Sequence, residues 1–265
     1  MHAHEDRAAA PSHVERMVVR VVEDAAAAGE AAAARIAASR ATRPGFVLGV
    51  ATGSTPRPVW AALAARGLDL SSARAFALDE YRGLPAGHPQ SYRAVVEREV
   101  VATLGLDPAR VRVPGDDGDD EGAPERFERD LAAAGGVDVQ VLGIGTNGHI
   151  AFNEPGSPLD SRTRIAPLAA STRHANARFF ASLDEVPTHC ITQGTGTILE
   201  ARRLVLLAFG EAKAAAVAAA LEGPVTPDVP ASALQLHGDV LVVLDRAAAS
   251  ALTGGGADAA WREER

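Results

Sequence analysis

Short, largely apolar runs recur along this 265-residue chain, and each is followed by a stretch of helical character. FVLGVAT (46–52), ARAFALDE (73–80), RVRV (110–113), VDVQVLGIG (137–145), RRLVLLAFG (202–210) and DVLVVLD (239–245) read as strands. Between and after them, PVWAALAARG, SYRAVVEREVVATLG, PERFERDLAAAGG, EAKAAAVAAALEG and a final RAAASALTG read as helices, several ending at glycine. Strands apolar along their length are buried on both faces, and alternation with helices makes the sheet parallel. The expectation is an α/β fold, a doubly wound, mostly parallel, Rossmann-like sheet with helices on both faces. One further helix is expected at the start, from about Val14 to Ser39 and interrupted near Gly29, because Val18, Val21 and Val22 lead into runs of alanine at helical spacing.

No repeat and no Pro/Ser-rich linker divides the chain, so residues 1–265 are expected to form a single domain, with flexible ends at about 1–12 and 254–265. His2, His4 and His13 fall in the first of these ends and read as terminus rather than metal site. A formal net charge of −8 argues against nucleic acid or an anionic membrane as partner. No apolar run has membrane-spanning length and no signal-like segment opens the chain, while the single cysteine, Cys190, rules out an internal disulfide framework. A soluble, cytoplasmic protein is expected.

In a doubly wound sheet the ligand sits at the carboxyl ends of the strands. Four loops therefore become candidates: TGSTP, DEYRGLP, GIGTNGHIAFNEPG and GEAK. Gly143, Gly145 and Gly148 spell a dinucleotide fingerprint, but Pro155 and Pro158 block the helix that should follow. Residues 162–180 also contain no acidic ribose ligand. The glycines instead let backbone approach a small ligand. The acidic stretch at Asp117, Asp119, Glu121 and Glu128 approaches EF-hand spacing but follows a strand and a proline, so it reads as a solvated loop. Gly53, Ser54 and Thr55 stand before a helix opened by Pro56, where N–H groups and small hydroxyls suit either an anion or a plain cap. Asp79 and Glu80 end a strand, as a capping residue or as a proton-transfer base. His149 and Glu154 lie five apart, an arrangement in which a carboxylate can fix the imidazole tautomer.

These motifs, LDEYRGLP with HPQSY, and GIGTNGHIAFNEPG with SRTR, resemble the glucosamine-6-phosphate deaminases of the glucosamine/galactosamine-6-phosphate isomerase family. ATGSTP, STRHANARFF, GEAKA and SALQLH extend the likeness from about residue 46 to 245. The resemblance implies hydrolytic conversion of glucosamine 6-phosphate to fructose 6-phosphate and ammonia, without organic cofactor or metal. It implies Asp79 as the base at C2, and His149 with Glu154 as the ring-opening pair. Gly53, Ser54, Thr55, Arg178 and Lys213 would be the phosphate ligands. Asn147 stands where some members carry aspartate; an amide can orient a partner but cannot exchange protons as a carboxylate does. The partner implied is a small sugar phosphate, and a homo-oligomer stays open. Regulated members bind N-acetylglucosamine 6-phosphate through the segment equivalent to PGSPLDSRTRIAPL. Here Ser157 and Arg164 remain, but Pro158 and Ala166 replace a hydroxyl and a lysine. A 6-phosphogluconolactonase, another amino-sugar phosphate deaminase, or a non-catalytic sugar-phosphate sensor are the alternatives.

Overall fold

A computed structural model describes residues 17–118, 120–254 and 262–263. In chain order the elements are β1 (Met17–Val22), α1 (Ala25–Ala41), β2 (Val47–Val50), α2 (Arg57–Ala65), β3 (Arg74–Ala77) and β4 (Asp79–Tyr81). Then come α3 (Tyr92–Val96), α4 (Ala102–Leu104), β5 (Val111–Arg112), α5 (Ala123–Ala133) and β6 (Val139–Gly143), with a π-helical turn at Glu97–Val101 joining α3 to α4. The chain continues through β7 (Arg164–Pro167), α6 (Ala170–Asn176), β8 (His189–Thr192), α7 (Thr195–Leu199), β9 (Leu204–Ala208), α8 (Ala214–Glu222), β10 (Val240–Asp245) and β11 (Arg262–Glu263).

Eight strands form one parallel sheet in the order β11-β1-β10-β9-β6-β2-β3-β5. Every residue of β2 and β9 is buried, as are the first four of β6 and the first five of β10, so both faces of the sheet's centre are covered. From β2 the chain steps outward to β3 and β5, then returns to β6 on the other side of β2 and steps away through β9 and β10. The direction of winding thus reverses between β2 and β6. That is the topological switch point, where a crevice opens beyond the strand ends.

A second, three-stranded antiparallel sheet, β4-β8-β7, was not expected from the sequence. ARAFALDE is one run in the sequence but two strands in the fold. The chain leaves the main sheet after Ala77 and enters the small one at Asp79. Gln193 holds the bend, its N–H donating to Leu78 O at 2.7 Å and its Nε2 to Ala77 O at 3.0 Å.

The start of the chain corrects the expected helix at 14–39. Residues 14–16 lie outside the described residues, and Met17–Val22 is a strand parallel to β10, from Met17↔Val240 to Val22↔Asp245. Four valines in six residues favour the pleated surface over a helix, where branched side chains lose rotamers. The helix starts only after Asp24, whose carboxylate caps it by accepting from Ala27 N. Nor does Gly29 interrupt α1. A Cβ there would lie 2.3 Å from Pro58 O, so this glycine is what lets α1 and α2 touch. The expected last helix at 246–254 is a series of turns, with Asp245 accepting from Ala248 N and Gly210 N. The end segment 1–12 lies outside the described residues, as do 255–261 and 264–265.

Candidate active site

Asp79 opens β4 opposite Thr192 of β8. The residue is 6% exposed, and its carboxylate receives no hydrogen bond among the described residues. Burial, assisted by the neighbouring charge of Glu80, pushes its pKa up to about 8. Glu80, the alternative base, is occupied otherwise. Its carboxylate accepts the N–H groups of Tyr81, Tyr92 and Arg93 at 2.7–2.8 Å, which anchors the start of α3 behind the strand. Of the two, only Asp79 has carboxylate oxygens without a hydrogen-bond donor among the described residues.

The loop after β6 reaches Asp79 through Thr192, whose Oγ1 accepts from Phe152 N at 3.2 Å. Asn153, fully buried, donates from Nδ2 to Ile150 O and to Gln193 O, closing the loop on the same strand. No helix begins at Gly148; the chain turns, so the dinucleotide reading fails in the fold as well. Two of the fingerprint glycines have specific reasons. A Cβ on Gly145 would lie 2.3 Å from the His149 ring, so the imidazole occupies space that any other residue would fill. Gly148 has φ +84° and packs on Val229. Ala151, two residues after His149, is, among the described residues, the non-glycine residue held at positive φ, +51°, a conformation that costs free energy and tends to mark functional loops.

Within this loop Glu154 is a hub. Its Oε2 accepts from Asn147 Nδ2 at 2.8 Å and lies 3.5 Å from His149 Nδ1, an ion-pair distance longer than a formed hydrogen bond. Its Oε1 accepts from Thr172 Oγ1. Asn147 Oδ1 accepts the His149 N–H at 3.2 Å, so the amide braces both partners. Burial alone would raise the pKa of Glu154. The interactions with His149, Thr172 and Asn147 outweigh it and hold the group down at about 2. Buried Asp79 and half-buried Glu154 thus have opposite tendencies, Asp79 to hold a proton and Glu154 to release one.

The expected anion ligands come from three other elements. Gly53 has φ +90° with open space at its Cβ position. The N-cap of α2 is Pro56, with no side-chain cap, and the hydroxyls of Ser54 and Thr55 make no hydrogen bond among the described residues. The plain-cap reading of these hydroxyls is therefore not realised. Arg57, the next cation along the chain, is bound to Glu99 at 2.7 Å. Lys213 donates from Nζ to Ile144 O at 2.6 Å, which ties the loop after β9 to the end of β6. Its pKa is lowered by burial and then by the charge of Arg178, so these two cations share one neighbourhood. The Arg178 guanidinium lies 4.7 Å above the Phe179 ring and has no carboxylate partner among the described residues. Among the described residues no three His, Cys, Asp or Glu side chains gather as a metal site, and no helix is long and apolar enough to cross a membrane.

Thr172, Thr192 and Gln193 were not singled out from the sequence. Beside them, buried Cys190 has its pKa pushed far up by burial and by Asp79.

A doubly wound sheet with a buried carboxyl group beyond β3 and a histidine–carboxylate pair beyond β6 has the architecture of an α/β enzyme acting on a small polar ligand. Residues 21–243 match the model of the family described as glucosamine-6-phosphate isomerases/6-phosphogluconolactonase. The chain is 57% identical over 242 residues to a glucosamine-6-phosphate deaminase of Streptomyces avermitilis, covering 89% of this chain and 93% of that one. It is 51% identical over 246 residues to the corresponding Bifidobacterium longum protein, covering 88% and 91%. A solved structure of a monomeric glucosamine-6-phosphate deaminase superposes with a TM-score of 0.84 at 40% identity, over 89% of this chain and 99% of that one. A 6-phosphogluconolactonase from Trypanosoma cruzi shares the fold, with a TM-score of 0.70 at 20% identity over 89% and 96%. The chain belongs to the glucosamine-6-phosphate isomerase/6-phosphogluconolactonase family.

Proposed function

We propose that this chain, a single-domain cytoplasmic enzyme, converts glucosamine 6-phosphate and water to fructose 6-phosphate and ammonia. The observation that carries the reading is the identity of more than half to proteins of that activity, in a chain whose buried Asp79 has no hydrogen-bond donor among the described residues and whose Glu154 is held beside His149 by Asn147.

The sugar binds by its phosphate to the N–H groups and hydroxyls of Gly53, Ser54 and Thr55, with Arg178 and Lys213 supplying positive charge. His149, oriented by the Glu154 carboxylate, carries the proton of the anomeric hydroxyl to the ring oxygen, and the ring opens to an aldehyde. Asn147 does not relay a proton; it holds Glu154 and the His149 backbone in place. The aldehyde acidifies the hydrogen on C2, which Asp79 removes. A carboxylate with a raised pKa is a stronger base than an ordinary one, and its empty hydrogen-bond shell leaves it free to act. The resulting enolamine takes a proton at C1, becoming the C2 imine. Addition of water to the imine and loss of the amine complete the balance with one ammonia and one ketose phosphate.

The test is a coupled assay of fructose 6-phosphate together with ammonia release, run with glucosamine 6-phosphate, galactosamine 6-phosphate and 6-phosphogluconolactone. Both products from the first substrate, at a rate well above those for the others, are expected. Turnover of the lactone alone would overturn the reading.

A further inference from the structure

Beyond the residues given roles above, Thr172 is a side chain in direct contact with the His149–Glu154 pair, through Glu154. It is 7% exposed, lies on α6, and donates its hydroxyl to Glu154 Oε1. The other oxygen of that carboxylate, Oε2, faces His149 and Asn147. The two oxygens are therefore separately assigned. The terminal torsion of a glutamate is broad and roughly two-fold, so bonds on one side alone leave the carboxylate free to turn. A donor on the far oxygen removes that freedom.

The helix does not depend on this bond for its place. α6 has seven residues and no side-chain cap, too short to stand alone, but it is fastened elsewhere. Asn176, one turn along on the same face, donates from Nδ2 to Tyr81 OH at 2.8 Å. Arg173 reaches Leu183 O and Val186 O, and Leu168 N donates to Thr188 O where the excursion closes. The Thr172 hydroxyl is thus a buried polar group directed at the relay rather than a fastening of the segment that carries it.

We propose that Thr172 is a positioning residue for ring opening, its hydroxyl locking the Glu154 carboxylate in the orientation that presents Oε2 to His149. The proposal rests on the reading of His149 and Glu154 as the ring-opening pair. It distinguishes this threonine from the phosphate ligands, because loss of its hydroxyl disturbs the chemistry and leaves binding of an open-chain phosphate intact.

The experiment measures kcat and KM with glucosamine 6-phosphate, and inhibition by the open-chain 2-amino-2-deoxyglucitol 6-phosphate. The proteins are the wild type, Thr172→Val, Thr172→Ser, Glu154→Ala and the Glu154→Ala/Thr172→Val double variant. A hydrogen bond to a charged group corresponds to roughly 10- to 100-fold, so kcat of Thr172→Val should fall by about that factor. KM and the inhibition constant should stay within about threefold, and Thr172→Ser should recover wild-type kcat to within about threefold. In the Glu154→Ala background Thr172→Val should cost nothing further. Thr172→Val at wild-type kcat, Thr172→Ser as slow as Thr172→Val, or an equal loss with and without Glu154 would each overturn the proposal. If Thr172→Val does not fold, Thr172→Ala takes its place in the same cycle. A wild-type enzyme that releases no ammonia overturns the underlying reading as well, whereas normal wild-type turnover with an indifferent Thr172 variant overturns this inference alone.

Discussion

Replacing Asp79 by asparagine should make the protein inactive and, at alkaline pH, more stable. The folded state holds this carboxyl at about 8 against an ordinary 3.8, first because it is buried and then because Glu80 is adjacent. Below about pH 4 the group is neutral in both the folded and unfolded chains and has no effect on their balance. Between about 4 and about 8 the unfolded chain has released a proton that the folded chain retains, so stability falls as pH rises, by about 1.4 kcal/mol per pH unit. Above about 8 the loss is complete, on the order of 5 kcal/mol. Asparagine is nearly isosteric and cannot ionise, so the variant lacks this loss. Urea unfolding of both proteins at pH 5.5, 7 and 8.5 should show the variant's advantage widening by about 3 kcal/mol across the series. In parallel, wild-type kcat/KM should climb about tenfold per unit up to about pH 8 and then level, since the base must be ionised, while the variant loses at least ~10²-fold in kcat. A stability difference independent of pH, a flat rate profile between pH 6 and 8, or a variant retaining a tenth of the wild-type rate would refute the reasoning.

His149→Gln should slow turnover of the closed-ring substrate by ~10²-fold or more. It should have much less effect on solvent exchange at C2 of an open-chain ligand, and equal losses in the two assays would assign the histidine a wider role. Lys213→Met should raise KM by roughly 10- to 100-fold and weaken inhibition by inorganic phosphate in step; an unchanged KM would remove this lysine from the phosphate site. Gly145→Ala places a methyl group 2.3 Å from the His149 ring and should displace it, with a rate loss on the order of 10²-fold and little change in urea midpoint. Near-hyperbolic kinetics are expected, with little activation by N-acetylglucosamine 6-phosphate. Ala166 brings no cation to that segment, and Arg164 is already engaged with Asn153, Ser157 and Ser161; a sigmoidal rate curve made hyperbolic by sub-millimolar effector would contradict this.

Much of the candidate site is legible in the sequence because its residues are local in the chain. Asp79 ends an apolar run, and His149, Glu154 and Asn147 fall within eight residues, so spacing alone brings them together. The sheet centre was equally legible, since runs such as LVLLA and VLVVL have no reading but a strand buried on both faces. What escaped was decided at a distance. Val18, Val21 and Val22 satisfy a helical spacing as well as a strand, and the choice is made by β10, more than two hundred residues away. β7 and β8 are four residues each and include Arg164, Pro167, His189 and Cys190, so neither shows an apolar run; they become strands only by flanking one another. Thr172 carried no local signal at all, because its importance comes from an acceptor eighteen positions earlier in the chain.

The pairing of β1 has a consequence for how the protein is made. Among the described strands Met17–Val22 leaves the ribosome before the others, yet its described neighbours in the sheet are β10 and β11, more than two hundred residues later in the chain. At a synthesis rate of roughly 5–20 residues per second, β1 waits on the order of ten to forty seconds for β10. During that interval a six-residue segment with four valines and one methionine is without its native partners, the composition most prone to pair with other nascent chains. Arg20, in its middle, is the charge that interrupts such stacking. The main sheet is therefore completed from its last strands rather than its first, by a closure whose long loop makes it slow. Chaperone demand during synthesis, rather than the stability of the finished fold, is where substitutions in this strand should register first.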